Sequence, residues 1–486
     1  MSEKLLVIDE GTTSTRAILF ATDGNCLGAA QRELTQYYPQ PGWVEHDAAE
    51  IWERTLACAQ EMVVLAGGAD RIAAIGITNQ RETVVAWDKR TGEPLSRAIV
   101  WQDRRTAEIC AEFRTKGYEP LVQARTGLLL DPYFSASKMQ WMLRHQPELV
   151  EAGDRLALGT IESYLIFRLT GGLHVSDASN ASRTMLMALD GRGWDVELAD
   201  LFAVPIGALP EIVDCAGELA RTLPEWLGGA IPVCGSAGDQ QAATIGQACF
   251  APGDTKATFG TGAFVLANAG KSVPRSGHRL LSTVLCQLDG ERSYALEGSI
   301  FVAGSLIKWL RDELGLLATA AETGELAPSV PDNGGVYLVP ALSGLGAPHW
   351  LPDARASLTG LSFSTSRAHI ARAALEAMAH MAHDLQSAFA ADRVVWERLK
   401  IDGGMAANDW MAQDLADVLG IVVERPDFVE TTALGAAMLA GAGCGLFRSL
   451  EEAASMRGGV RLFEPGMPRE LRAQRLAGWH GALSRL

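Results

Sequence analysis

The chain has little with which to bind nucleic acid, cross a membrane or build a disulfide scaffold. Its 42 lysines and arginines are outnumbered by 58 aspartates and glutamates, for a net charge of −16. A nucleic-acid partner needs a basic surplus to displace counterions, so that class is excluded. No uninterrupted apolar run approaches the roughly 20 residues that span a bilayer, which argues against stable membrane insertion. The eight cysteines, at 26, 58, 110, 215, 234, 249, 286 and 444, include no Cys-x-x-Cys pair. In a chain of 486 residues that scatter predicts reduced thiols and a cytoplasmic protein. The first residues lead into a strand pattern without the layout of a signal peptide, which fits the same compartment. A Walker loop is also missing. Gly270-Lys271-Ser272 has the tail of one, but the leading glycine would fall on Val265, and Val273-Pro274 follows where a helix should begin.

What is present points to an α/β protein of two related halves. A hydrophobic fraction of 48% over this length supports sizeable cores and two or three domains. The apolar run Leu5 to Ile8 ends in Asp9, turns at Gly11, passes Thr12, Thr13 and Ser14, and resumes at Ala17 to Phe20. This is strand, tight turn, strand. Its hydroxyls, backbone N–H groups and Arg16 suit phosphate oxygens, and Asp9 suits a hydrated magnesium ion; a plain polar hairpin tip reads equally well. The layout then recurs at Thr255 to Asn268 around Gly260-Thr261-Gly262. Such internal duplication suggests two domains, 1–247 and 248–486, closing on one ligand. Between the hairpins the pattern predicts a helix from Ala48 capped by Asp47, a buried strand from Ile72 to Thr78, and strands at 82–88 and 98–103. Mostly helical structure is expected from Arg104 to about Leu169. In the second half it predicts short strands at 279–288 and 293–296, a helix from near Phe301, and helices over 367–389 and 432–443.

Several groups at strand ends suit chemistry on an alcohol. Asp239 closes the apolar run Ala230 to Cys234 plus its glycine-rich extension and opens a helix, where a carboxylate serves either as a proton acceptor or as a helix cap. Arg81 and Glu82 follow a buried strand, Trp101 follows another, and Tyr133 lies in Asp131-Pro-Tyr-Phe134. Arg and Glu together donate to and accept from adjacent hydroxyls, while aromatic faces cover carbons. Gly304 at a helix start and Gly404 to Asn408 after a strand are glycine-bearing turns suited to close backbone approach. Glu376, His380 and His383, with Asp384 beside them, share one helix face in the manner of a metal cluster, but the surrounding Ala and Met residues favour packing.

These pieces together resemble the FGGY family of carbohydrate kinases over nearly the whole chain. Asp9 to Ser14, Pro41 to Asp47, Gly76 to Thr83, Asp131 to Phe134, Asn180 to Met185 and Ala237 to Gln241 resemble in particular the members that phosphorylate glycerol. The resemblance implies two actin-like (ribonuclease H-type) domains flanking a catalytic cleft, with ATP and glycerol as substrates and Mg2+ as cofactor. It implies that Arg81, Glu82, Tyr133, Asp239 and Gln240 hold the glycerol hydroxyls, that Trp101 and Phe264 lie on its carbons, and that Asp239 takes the hydroxyl proton. Thr12, Thr13, Ser14, Arg16 and Thr261 are expected at the phosphates, and Gly304, Lys308, Gly404 and Asn408 around the rest of the nucleotide. Asp9 and Asp239 are expected at the metal, and a homodimer or homotetramer is implied. Two residues depart from the family pattern. Glu10 replaces a common Gln and is expected to add negative charge near the phosphates; Lys308 replaces a nucleotide-contacting Gln. The segment Thr222 to Pro232 has no basic residue, so inhibition by fructose 1,6-bisphosphate is expected to be weak or absent.

Overall fold

A computed structural model of the chain describes residues 3–351 and 353–486. The first sheet comprises β1 (Lys4–Glu10), β2 (Ser14–Ala21), β3 (Cys26–Glu33), β4 (Ile72–Asn79), β5 (Ala216–Arg221) and β6 (Pro232–Gly238), in spatial order β5-β6-β4-β1-β2-β3. The second comprises β7 (Thr255–Phe259), β8 (Ala263–Gly270), β9 (Leu281–Leu288), β10 (Glu291–Ile300), β11 (Arg398–Asp402), β12 (Val422–Pro426) and β13 (Val460–Phe463), in the order β9-β10-β8-β7-β11-β12-β13. In the first, β1, β2 and β3 form an antiparallel meander and β4 and β6 add parallel to β1. In the second, β7, β8 and β10 are antiparallel and β11 and β12 add parallel to β7. The same path is traced twice, with β5, β9 and β13 as added edges. This is the duplicated actin-like architecture.

Helices cover both faces of these sheets, which is why the central strands are continuous apolar runs rather than alternating ones. Leu5 to Ile8 are all fully buried. Helix α1 (Ala48–Ala66) covers one face of the first sheet; Asp47 caps it by accepting from Ala49 N, and Gly67 closes it in the left-handed conformation. Helix α2 (Asp239–Gly246) leaves β6, and α3 (Gly304–Asp312), α4 (Arg367–Ala391) and α5 (Asp409–Leu419) belong to the second half. Helix α6 (Thr431–Gly443) crosses back to pack on β1, β4 and β6 and against α2. That position explains its sequence, which is apolar or small all round. Helix α7 (Arg469–Leu483) ends the chain on the outside of α4.

Some expected boundaries move for physical reasons. The strand expected from Glu82 begins at Val85, because Glu82 itself turns the chain with φ at 64°. A short strand, Leu156–Gly159, lies within the stretch expected to be mostly helical and pairs with Val85–Asp88. The strand expected to stop at Leu296 continues through Glu297 to Ile300. The metal-like stripe on α4 is used for packing. Glu376 accepts from Arg372 and Asn333, His380 stacks on Trp479 at 5.3 Å, and Asp384 accepts from Trp479 and contacts His349 and His480.

Candidate active site

The carboxyl ends of β1, β4 and β6 and the turn of the second hairpin converge on one cleft. Open α/β sheets put their sites at such ends, where strand tips and helix starts leave a crevice. Asp9 on β1 and Asp239 just beyond β6 flank β4, whose continuation supplies Gln80, Arg81 and Glu82. Gln80 Nε2 donates to Gly11 O at 3.0 Å, Thr83 donates to Gln80 Oε1, and Trp101 N donates to Thr83 Oγ1. The first hairpin turn is thereby tied to the aromatic wall. Trp101 closes the link with its own indole N–H, 2.9 Å from Thr12 Oγ1.

That wall is made of three rings. Trp101 meets Tyr133 edge-on at 5.7 Å and Phe264 at 6.3 Å, and the Arg81 guanidinium lies 5.9 Å from the Phe264 ring. Beside the rings, Arg81 Nε is 3.2 Å from Asp239 Oδ1 and Arg81 Nη2 donates to the Tyr133 hydroxyl at 3.3 Å. Arg81 and Glu82 are almost wholly buried, whereas the Asp239 side chain keeps 34% of its exposure. Burial raises the Asp239 pKa above the ordinary carboxylate value, against the opposing pull of Arg81 and Lys256. A carboxylate in that state is a stronger base than one in water, and it is open to a ligand. The left-handed Glu82 costs about 1–3 kcal/mol of backbone strain, which its buried contacts hold in place.

A cavity of about 1080 Å³ opens on the far side of Trp101. Thr12, Thr13, Thr261, Gly304, Lys308, Gly404 and Asn408 all line it. The second hairpin holds the start of α3 directly: Gly304 N donates to Gly260 O at 2.8 Å and Ser305 N to Thr261 O at 3.1 Å. A Cβ on Gly304 would stand 2.6 Å from Gly260 O, so only glycine permits the approach. Asn408 caps α5, accepting from Met411 N, and donates to Thr323. Ser14 and Arg16 lie outside this lining. Arg16 faces Asp9 across the hairpin register, and its guanidinium is held by Asp9 and by Glu430 at 2.7 Å; Ser14 accepts from Gln31 on β3.

Glu10 corrects an expectation. It adds no exposed charge beside the phosphate turn, because its side chain is fully buried under α1, where Thr55 donates to Oε2 at 3.3 Å. Burial pushes its pKa up to about 8, so near neutrality it is mostly a protonated acid, close in shape and polarity to a Gln.

Four site residues were assigned no role by sequence, although Arg183 and Gln241 lie in stretches that carry the family resemblance. Glu297 and Arg183 complete a buried network with Arg81 and Glu82, in which Arg183 Nε donates to Glu82 Oε1 at 2.6 Å. Lys256 donates to Gln240 Oε1 at 2.5 Å and to Thr258, so Gln240 meets the cleft with its carbonyl oxygen already engaged. Gln241 accepts from Arg81. The available signal was a charge flanked by apolar or small residues within a strand, Lys256 in β7 and Glu297 in the second half of β10, since a buried charge requires a partner.

Comparison with known proteins identifies the family and the fold. Residues 4–246 match the N-terminal domain of the FGGY family of carbohydrate kinases, and residues 255–444 match its C-terminal domain. The chain is 52% identical to the glycerol kinase of Rhodospirillum rubrum, covering 99% of this chain and 98% of that one. It is 53% identical to the glycerol kinase of Alcanivorax borkumensis over the same shares. Among solved structures, the glycerol kinase of Plasmodium falciparum with ADP superposes with a TM-score of 0.92 at 35% identity, over 100% of this chain and 98% of that one. The chain therefore belongs to the FGGY family of carbohydrate kinases.

Proposed function

We propose that this kinase transfers the γ-phosphoryl group of ATP to glycerol, giving ADP and sn-glycerol 3-phosphate, with Asp239 as general base. The observation that carries the reading is the partly open Asp239 carboxylate, braced by Arg81 beside the Trp101, Tyr133 and Phe264 rings and next to the large cavity. The rings suit a short carbon chain, and the flanking arginine, carboxylates and phenol suit adjacent hydroxyls. Full-length relatives named glycerol kinase support the same acceptor.

In this reading residues 1–247 supply the polyol and phosphate contacts and residues 248–486 most of the nucleotide contacts. Arg81, Glu82, Tyr133 and Gln240 orient the triol, and Asp239 accepts the proton of the attacking hydroxyl. That oxygen bonds to the γ-phosphorus in line as the bond to the bridging oxygen of the departing ADP breaks. Thr12, Thr13 and Thr261 meet the phosphates, while Gly304, Lys308, Gly404 and Asn408 border the nucleotide. The donor set fits a hydrated magnesium ion. Lys308 is the one cation among the described residues lining the cavity, which leaves most of the triphosphate charge to be balanced. Asp9 and Asp239 stand two strands apart, roughly 10 Å by strand spacing, a span that suits water-mediated contact. The ion supplies neutralisation of phosphate charge when bound. Closure of the cleft excludes water, which would otherwise accept the phosphoryl group. The setting is cytoplasmic, and gel filtration tests for the homodimer or homotetramer.

The deciding experiment is a coupled assay of ADP release with magnesium-ATP, comparing glycerol, erythritol, xylulose, dihydroxyacetone and no alcohol. Strong turnover with glycerol alone is expected. Preference for a longer polyol would overturn the acceptor assignment, and release indifferent to every alcohol would indicate an ATPase instead.

A further inference from the structure

Glu297 lies behind the groups that would touch substrate, and its role rests on the phosphoryl-transfer reading above. It belongs to β10 in the second sheet and is 0% exposed. Its carboxylate sits between two guanidiniums from the first half. Oε2 accepts from Arg81 Nη1 at 2.6 Å, and Oε1 accepts from Arg81 Nη2 at 3.2 Å and from Arg183 Nη2 at 2.9 Å. Burial alone would raise this carboxyl, but the two guanidiniums outweigh burial and hold it below the usual range, so it is an anion. Arg81 meets the second sheet again through Gln241. Arg81 Nη1 donates to Gln241 Oε1 at 3.3 Å, and the Gln241 amide is itself fixed by donation to Thr283 Oγ1 and Val284 O on β9. A guanidinium is a rigid planar fork, so pinning both Nη atoms fixes the direction of the remaining Nε–H. That nitrogen lies 3.2 Å from Asp239 Oδ1, an ion-pair contact.

We propose that Glu297 is a positioning residue: supplied by the second sheet, it sets the plane of the Arg81 guanidinium, and so the alignment of Asp239, Tyr133 and the bound alcohol. Without it Arg81 is free to swing toward Asp239 and Glu82, the remaining carboxylates within its reach. The alcohol then loses its fixed donor. The nucleotide cavity keeps its form, because its lining residues are held by other contacts. The two halves of the chain thus share the alcohol site even though most of the groups that touch the alcohol come from one of them.

The test compares wild type with Glu297→Gln, Glu297→Asp and the double variant Arg183→Gln/Glu297→Gln, which removes one charge of each sign. Kinetics are measured with alcohol and ATP varied separately. Arg81 side-chain N–H signals are followed by 15N NMR and assigned by their loss in Arg81→Lys. Expected in E297Q is a fall in kcat/KM for the alcohol on the order of 100-fold, as for a misplaced reacting group, with KM for ATP unchanged. E297D, which reaches one guanidinium but not both, should fall less. The Arg81 signals should lose their slow solvent exchange. Wild-type kinetics in E297Q, equal losses toward both substrates, or unchanged Arg81 signals would each overturn the proposal. If E297Q fails to fold, the double variant carries the same comparison. If wild type phosphorylates no alcohol, the functional reading falls, while the Arg81 signals still decide the role of Glu297.

Discussion

A Cβ on Gly435 would stand 1.8 Å from the carbonyl oxygen of Ala242. Helices α6 and α2 therefore touch backbone to backbone where the two halves of the chain cross, and Gly246 makes the reciprocal approach to Thr431 O. The obstruction is main chain, so it cannot rotate aside. Gly435→Ala should cost at least about 3 kcal/mol in urea unfolding, the upper part of the range for overpacked cores. An unchanged midpoint would mean that the helices separate freely.

Asp239→Asn should lower kcat by about 10²–10⁴, the usual contribution of a general base, with the KM values for ATP and alcohol little changed. Steady-state kinetics with each substrate varied is the check. Retention of a tenth or more of wild-type kcat would assign the proton to another acceptor.

Glu10 gives a pH-dependent stability of definite sign. Its pKa is raised from 4.5 to about 8 in the native state, so the native state holds a proton that the unfolded chain releases between those values. Its contribution is intact below 4.5 and is lost as pH rises to about 8, at about 1.4 kcal/mol per unit. Glu10→Gln should leave the denaturation midpoint near pH 4.5 unchanged and raise it at pH 8. Equal shifts at both pH values would contradict this.

Buried histidines give the opposite slope. Burial lowers His46 and His174 to about 4 and His380 to about 3, and in each the buried Nε2 has no hydrogen-bond partner. The unfolded chain takes up protons below its usual histidine value, near 6.5, before the native state does, so stability falls as pH falls from there. Replacing His380 with Phe keeps a ring against Trp479 and should flatten the acid slope by about 1.4 kcal/mol per unit. Denaturant titrations between pH 4.5 and 6.5 measure it, and an unaltered slope would refute the assignment.

Fructose 1,6-bisphosphate should have little effect on turnover. Two phosphates need cations, and the residue flanking the Thr222 to Pro232 segment that could serve, Arg221, is engaged by Glu218 at 2.6 Å and 2.8 Å. Clear inhibition at millimolar concentration would disprove the expectation.

The hairpins at the start of each half were legible because their signals are local: an apolar run, a glycine turn and a second run. Asp9, Arg81, Trp101, Tyr133 and Asp239 were legible for a related reason, since each follows or ends an apolar stretch. Glu297 was not. A charge after Tyr294-Ala-Leu296 reads as the end of a strand, and only the two arginines arriving from the other half allow the strand to continue through it. Arg16 shows the converse. Its spacing suits a phosphate, but the register that sets it opposite Asp9, and the arrival of Glu430 from more than four hundred residues away, come from tertiary structure. Glu10 likewise reads as a charge until its burial is known.

The guanidinium of Arg81 has five N–H groups; its two Nη atoms donate to Glu297, Gln241 and Tyr133, and its Nε stands in ion-pair contact with Asp239. An incoming alcohol therefore meets an arginine whose two Nη atoms are already engaged, and binding to either is a swap of partners. Each hydroxyl is measured against the neighbour it displaces, so selectivity becomes a comparison between an alcohol and the protein's own side chains. An acceptor that displaces one neighbour must make good one lost bond; one whose shape displaces two must make good both.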